Sequence, residues 1–294
     1  MDLPPQPPGS LMGLALLGWM KREHAIAFLL HDCVFQPPLT EHAAESLWRE
    51  YRHRAEEIPE RAAAAPPEVP LDKEEEEYAS RFLEFLRQLG DNRVRVIKID
   101  PMQLVAVQFH IAVNRAGDYI GSSKSNADWL PTALPTSTSN PPLEITFTRR
   151  NLDTDINIDL PHSEFLFGVN VDPLEPDGAR GHRGFGPKET LAHVTTMRMA
   201  DRMLLGKGYH RVYARMLATE AQLPDRLSAV ALDPSIINPP TRAADADPAG
   251  LEIFGRRPPL IADFFSEAHA MPLYLRKKRY RLEVRSRLVA LDAD

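Results

Sequence analysis

Hydrophobic residues recur at helical spacing in two segments of the first hundred residues. In residues 41–58 and 73–89, apolar side chains return every three or four positions, which is typical of amphipathic helices. Thr40 precedes the first segment as a candidate N-cap, and Asp72 with Glu75 resembles a capping box before the second. The sequence therefore predicts two helices whose starts are specified by nearby residues.

Four further segments are predicted to be helical on weaker patterns. Residues 10–34 are apolar on most sides, which is typical of a buried helix with a break near Lys21. Helices are also predicted at 188–205 and 209–222, on either side of a Gly-Lys-Gly sequence, and a short helix is predicted near 260–270.

The hydrophobic period changes to two between residues 93 and 171. Apolar and polar residues alternate in five segments, which predicts half-buried antiparallel strands: 94–99, 105–113, 143–147, 156–160 and 165–171. Residues 279–289 alternate in the same way and are a candidate edge strand of that sheet. The polar stretch 121–142 is predicted to be a long loop. The predicted fold class is α+β, with a central antiparallel sheet packed by helices from both ends of the chain.

Seven Pro-Pro pairs divide the chain into short pieces. Each pair fixes φ twice and removes two backbone donors, so neither a helix nor a central strand can continue through it. We therefore predict long, stiff connectors. Residues 1–65 form a predicted proline-rich arm with helices, and residues 66–294 a predicted α+β body, with one continuous domain as the alternative.

Composition restricts the class of protein. The chain has 294 residues, of which 43% are hydrophobic and 26% charged, and this is typical of a globular protein. Cys33 is the only cysteine, which excludes a disulfide framework within the sequence and favours a reducing compartment. The first apolar run is short and has no basic residues before it, so we expect a cytoplasmic protein without a membrane span.

Basic residues concentrate in two places, although the net charge is −6. Four glycines lie among basic residues at 178–186, ahead of a predicted helix, and backbone amides in such a loop can approach an anion closely. A second basic run begins at Arg276 and is interleaved with tyrosines. The candidate anion-binding residues are Arg180, His182, Arg183, Lys188, Arg276, Lys277, Lys278 and Arg279.

An acidic segment offers a different kind of chemistry. Residues 153–164 match part of a calcium-loop pattern, but Ile158 stands where that loop requires glycine. A polar face of a strand explains the same spacing. The candidate ligands of a divalent metal, as the alternative, are Asp155, Asp159, His162 and Glu164.

Three functions are compatible with these patterns. The first is a non-catalytic component of a larger assembly, which docks on protein partners through its proline-rich connectors and contacts an anionic partner, such as nucleic acid, through the basic segments. The second is a metal-dependent hydrolase or phosphotransfer enzyme that uses the acidic segment. The third is a small-molecule binding protein with an apolar pocket between sheet and helices. No catalytic motif and no cofactor is predicted, and a homo-oligomer is left open.

Overall fold

The computed structural model describes residues 5–61, 64–137, 193–219, 226–234 and 255–277 in full, and further strands between 144 and 187 and at 280–286 by their backbone. The chain divides into two compact units. The main unit consists of Met1–Thr136 and Ala192–Arg276, and the second unit of Ser137–Leu191 and Lys277–Asp294. The division predicted near residue 65 stays a prediction.

The helices confirm the two local predictions. Within the described residues the α-helices are α1 (Arg22–Ala27), α2 (Glu41–Glu57), α3 (Lys73–Gln88), α4 (Val113–Ile120), α5 (Asn126–Ala133) and α6 (Tyr209–Ala218). The Thr40 side chain accepts a hydrogen bond from the Ala43 amide at the start of α2. Asp72 and Glu75 form the predicted capping box of α3. Short 3₁₀ turns lie at Leu17–Trp19, Pro101–Gln103, Gly121–Ser123 and Ile261–Phe265, and a π-helical turn at Phe28–Asp32.

The strands are β1 (Ser10–Ala15), β2 (Cys33–Val34), β3 (Arg95–Ile99), β4 (Val105–Ala106), β5 (His110–Ala112), β6 (Glu144–Arg150), β7 (Asp153–Leu160), β8 (Phe167–Val171), β9 (Arg183–Pro187), β10 (Thr195–Met199), β11 (Arg202–Lys207), β12 (Ser228–Leu232), β13 (Met271–Arg276) and β14 (Tyr280–Ser286). The α+β class and the antiparallel sheet are confirmed. The strands predicted between 93 and 171 are divided among four sheets.

Two sheets belong to the main unit. The first sheet has the strand order β2-β13-β1-β5 and is antiparallel throughout. The second sheet has the order β3-β12-β10-β11-β4 and is mixed, because β10 runs parallel to β12 and β11 runs parallel to β4. Trp129 is almost completely buried, and its indole Nε1 donates to the Ala229 carbonyl of β12. Among the described residues, no helix combines the length and apolar character needed to cross a bilayer.

The second unit contains the third sheet, β14-β7-β6, and the hairpin β8–β9. Both pairs in the third sheet are antiparallel, so the predicted C-terminal strand does join the strand at 153–160. This pairing was expected because residues 279–289 alternate with the period of a strand.

Three predicted elements are wrong. Residues 10–34 form β1, a 3₁₀ turn, α1, a π-helical turn and β2 instead of one helix. The described part of 188–205 forms β10 and most of β11 instead of a helix. Most apolar residues of both segments are buried between neighbouring elements, and a buried apolar run has no period that separates strand from helix. The predicted loop 121–142 contains α5, which Ser125 caps.

The predicted strand 105–113 is also wrong, because it is interrupted after two residues. The hydroxyl of Tyr209 accepts hydrogen bonds from the amides of Val107 and Gln108 at 2.6 and 3.1 Å. These amides therefore donate to a side chain of α6, whereas the amides of a continuous strand would donate to a neighbouring strand. The chain resumes as β5 and then turns into α4 at Val113.

A buried polar network connects the helices of the main unit to the second sheet. Glu75 is 1% exposed, and its carboxylate accepts from Lys98 of β3 at 2.8 Å and from Asn126 of α5 at 3.2 Å. Asn126 in turn accepts from the buried guanidinium of Arg215 on α6. Burying these charges is tolerable because each is hydrogen-bonded, so the network fixes α3, α5 and α6 on the sheet.

Candidate ligand-binding cleft

A cleft of about 530 Å³ opens in the main unit between the α1 segment and residues 107–110. Its floor is formed by buried apolar side chains: Met20, Phe28, Val107 and Phe109. Its more exposed lining is polar: His24, His31, Asp32, Gln108 and His110. The cleft therefore combines an apolar floor with groups that can donate and accept hydrogen bonds.

Helical spacing brings one side of the cleft together. His24, Ala27, Phe28 and His31 occupy positions i, i+3, i+4 and i+7, so α1 and the turn after it present them along one side. The turn Phe28–Asp32 is π-helical. Such turns are rare and are often found at functional sites, where the wider turn changes the direction of the side chains.

The start of α6 holds the other side of the cleft in place. Tyr209 bonds the amides of Val107 and Gln108 and donates its own hydroxyl proton to the Leu205 carbonyl at 2.6 Å. His210 accepts from the Ala112 amide through Nε2 at 3.1 Å. Segment 107–110 is therefore fixed by side chains of a neighbouring helix, and the cleft is largely preformed.

An aromatic pair spans the two sides. The rings of Phe28 and His110 have centroids 5.1 Å apart and are tilted by 33°. Offset and tilted ring pairs at such distances are attractive. The pair joins the π-helical turn to the start of β5.

Cys33 lies directly after the cleft residue Asp32 and is an unreactive thiol. It is 1% exposed, and burial raises its pKa far above the ordinary range, with a further contribution from Asp32 that Arg276 partly opposes. Since the thiolate is the reactive form, Cys33 acts as a small buried hydrophobe, as the sequence predicts.

The structure describes three of the predicted anion-binding residues: Arg183, Arg276 and Lys277. Arg276 ends β13, is exposed, and donates through Nε to the Cys33 carbonyl at 3.1 Å, and the exposed Lys277 follows it. Arg183 begins β9 and pairs in register with Val171. Arg180, His182, Lys188, Lys278 and Arg279 lie outside the described residues. The helix expected after the glycine-rich loop is wrong, because β10 begins at Thr195.

In the strand register, two aspartates of the acidic segment in β7 are paired with two arginines of β14. Asp155 in β7 is paired with Arg285 of β14, and Asp159 is paired with Arg281. On the other side of β7, Asp155 is paired with Thr148 and Asp159 with Glu144. The interpretation as a polar strand face and the alternative as a metal site both stay predictions. His162 and Glu164 lie outside the described residues.

Metal chemistry finds no support in the part of the chain that the structure describes. There, no group of three or more histidine, cysteine, aspartate or glutamate side chains is arranged to hold a metal ion.

Sequence reasoning missed the cleft. The spacing of His24, Ala27, Phe28 and His31 is visible in the sequence, but residues 10–34 together predict a largely apolar, buried helix with a break near Lys21. Gln108 and His110 occupy alternate positions of a predicted strand, which is equally visible. What the sequence does not contain is the tertiary contact that brings these two segments together.

Comparison with known proteins yields no relative: no protein family, curated protein or solved structure matches this chain.

Proposed function

We propose that this protein binds a small organic molecule in the cleft between α1 and residues 107–110. The observation that carries the proposal is the preformed cleft of about 530 Å³ with an apolar floor and a polar rim. Small-molecule sites have volumes of roughly 300–1,000 Å³ and pair apolar walls with a few oriented polar groups.

Binding is favoured over covalent catalysis by the composition of the lining. Serine, cysteine and lysine, the commonest nucleophiles of covalent catalysis, are missing from the cleft among the residues that the structure describes. Cys33 is close in sequence, but it is buried and its raised pKa keeps it protonated. The polar side chains that line the cleft can orient a bound ligand through hydrogen bonds.

The test is a fragment screen by ligand-observed NMR on three forms of the chain. Ala27 is exposed and lines the cleft, so Ala27→Trp should fill the cleft without disturbing the core. Ala127 is an exposed alanine on α5, and Ala127→Trp is the matched control. We expect fragments that bind the wild type and Ala127→Trp but are lost with Ala27→Trp. Fragments that bind all three forms equally would show that the cleft is not the site.

A second candidate function is docking on an anionic partner as part of an assembly. The observation that favours it is the pair of exposed cations, Arg276 and Lys277, at the end of β13. Binding to a single-stranded oligonucleotide should then weaken with salt, and Lys277→Ala should reduce the salt slope by about one unit. Lys124→Ala, at another exposed lysine, is the control. A slope unchanged by Lys277→Ala would remove Lys277 from the contact.

A further inference from the structure

We propose that His269 is a general base that activates water for the hydrolysis of small uncharged esters, with Asp263 as its positioning residue. The site is a second pocket, of about 500 Å³, at the C-terminal end of α2. Among the described residues it shares no lining residue with the cleft, so this activity goes beyond the function proposed for the cleft. We call it the His269 pocket.

Hydrogen bonding places the proton of the His269 imidazole on Nδ1. The two carboxylate oxygens of Asp263 accept from the guanidinium of Arg61 at 2.6 and 2.7 Å, and the Leu260 amide donates to one of them at 2.7 Å. A carboxylate held by a guanidinium in this way is ionised and can only accept hydrogen bonds. His269 Nδ1 lies 2.9 Å from it and therefore donates. The neutral ring then carries its lone pair on Nε2.

Nε2 of His269 is left accessible by these contacts. It makes no hydrogen bond to the described residues, and it is not one of the buried atoms there that lack a partner. The side chain is 21% exposed and lines the pocket. Trp19 packs edge-on against the ring, with centroids 6.1 Å apart. Asp263 and Trp19 therefore fix the imidazole, and Nε2 is available to a water molecule in the pocket.

Such a base can hydrolyse an ester by proton transfer at one atom. Nε2 takes a proton from water while the water oxygen bonds to the ester carbonyl carbon, which gives a tetrahedral intermediate. The bond from this carbon to the alcohol oxygen then breaks, and Nε2–H returns the proton to the leaving alcohol. Among the described lining residues there is no serine, threonine, cysteine or lysine, so water is the nucleophile.

Arg54 is positioned to stabilise the negative charge that develops on the carbonyl oxygen. Its guanidinium lies over the Tyr51 ring, 4.6 Å from the centroid, and its Nη1 is 3.5 Å from the carbonyl oxygen of Ala268. Its Nη2 donates to Glu50. Two of its five N–H donors are used in these contacts, and the others can donate to the oxyanion.

The charges of the lining favour a substrate without net charge. Both signs are present, and each charged side chain already has a partner: Arg54 with Glu50, Arg61 with Asp263, Glu60 with Arg256, and Glu57 with His53. A charged substrate would therefore meet no unpaired opposite charge. Ile58 and Ala268 provide apolar surface for a short acyl chain.

His269→Asn separates the base from its structural role, because the asparagine amide can still donate to Asp263 but has no Nε2. We expect the wild type to hydrolyse para-nitrophenyl acetate and butyrate with a solvent deuterium isotope effect, and His269→Asn to lower kcat/KM by at least about 100-fold. His53→Asn is the matched control, because His53 lies 3.2 Å from the Glu57 carboxylate on the exposed surface, and it should keep the wild-type rate.

Two further measurements support the assignment to this pocket. Ala268 is exposed and lines it, so Ala268→Trp should abolish hydrolysis even if His269→Asn does not fold, whereas Ala27→Trp in the cleft should leave hydrolysis unchanged. Long-range ¹H–¹⁵N NMR should find the His269 proton on Nδ1. Asp263→Asn should move this proton to Nε2, since the amide would donate to Nδ1, and should slow hydrolysis.

Three results would overturn the proposal. The first is hydrolysis by the wild type no faster than by an equal concentration of free imidazole, and the second is equal kcat/KM for wild type and His269→Asn. The third is hydrolysis without an isotope effect, which would make His269 a nucleophile. None of them affects the cleft, because fragment binding tests the function proposed there.

Discussion

At the scale of single residues, His193 couples the stability of the main unit to pH. Its ring lies edge-on to Phe82, with centroids 5.5 Å apart, and its Nδ1 has no hydrogen-bond partner among the described residues. Burial, with a further contribution from Lys207, lowers the pKa of His193 to about 4. Between pH 4 and pH 6.5 this imidazole is therefore neutral in the folded chain and protonated in the unfolded chain.

We predict that stability falls as pH is lowered from 6.5 towards 4. In that window the unfolded state binds more protons, so the free energy of unfolding rises with pH. About 2 kcal/mol should be lost between pH 7 and pH 5 through this group. Urea unfolding at the two pH values measures it, and His193→Leu should remove most of the difference. His53→Ala, at an exposed histidine of α2, should leave the difference unchanged. A His193→Leu chain that keeps the full pH dependence would contradict the assignment.

Asp263 is the centre of a buried ionic cluster. Arg61 donates to both of its carboxylate oxygens at 2.6 and 2.7 Å, His269 bonds it at 2.9 Å, and the Leu260 amide donates to it at 2.7 Å. Burial alone would raise the pKa of Asp263, but the hydrogen bonds from Arg61 and His269 outweigh it and hold this pKa below its ordinary value. The carboxylate therefore stays charged although its side chain is 2% exposed.

We predict that Arg61→Met destabilises the chain by about 3–5 kcal/mol, because it leaves a buried carboxylate without its cation. Chemical unfolding at pH 7 measures the loss. The matched control is Arg256→Met, which removes an exposed pair with Glu60 and should cost less than about 1 kcal/mol. Equal costs for both variants would show that the cluster around Asp263 contributes no more than a surface ion pair.

At the scale of elements, structure that nearby residues specify is predictable from the sequence, whereas structure that depends on tertiary contacts is not. α2 and α3 were predictable because Thr40 and the Asp72–Glu75 pair specify their starts within one turn. β1 was not predictable, because it pairs with β13 and β5, two strands that lie far from it in the sequence. The same holds for the cleft. One wall is predictable from the spacing of His24 and His31, whereas the other depends on the hydroxyl of Tyr209, which is 102 residues from Val107 in the sequence.

The prediction at this scale concerns the contact between α2 and the 3₁₀ turn Leu17–Trp19. A Cβ at Gly18 would lie 2.4 Å from the Tyr51 carbonyl oxygen, a backbone atom that cannot move by itself. Gly18→Ala should therefore destabilise the chain by about 1–3 kcal/mol. Gly117→Ala is the control, because Gly117 lies inside α4 with open space around it, and it should stabilise the chain by up to about 1 kcal/mol. Thermal unfolding of the two variants compares them, and a neutral Gly18→Ala would contradict the close contact.

At the scale of the whole molecule, the main unit is formed by two stretches of chain, and the segment Ser137–Leu191 of the second unit lies between them in the sequence. The Val194 amide donates to the Ala133 carbonyl at 2.8 Å, so the chain leaves the main unit and returns to it at neighbouring points. The main unit also contains its own two sheets and its own buried residues. Both properties are typical of a domain that folds without the segment inserted in it.

We predict that the main unit folds by itself when residues 138–191 are replaced by a Gly-Ser linker of about six residues and the chain ends at Lys277. Circular dichroism should show one cooperative unfolding transition, and fragments that bind the cleft should still bind. A shortened chain that does not unfold cooperatively would show that the main unit requires the second unit.

The central position of β1 in the first sheet has a consequence for synthesis of the chain. β5 can pair with one edge of β1 as soon as it is made, but β13 is made about 160 residues after β5. At translation rates of about 5–20 residues per second, that interval is roughly 10–30 s. During this time one edge of an apolar strand has no native partner, and such an edge is a template for wrong pairing. A nascent chain of this protein should therefore depend on chaperones near the ribosome until β13 has emerged.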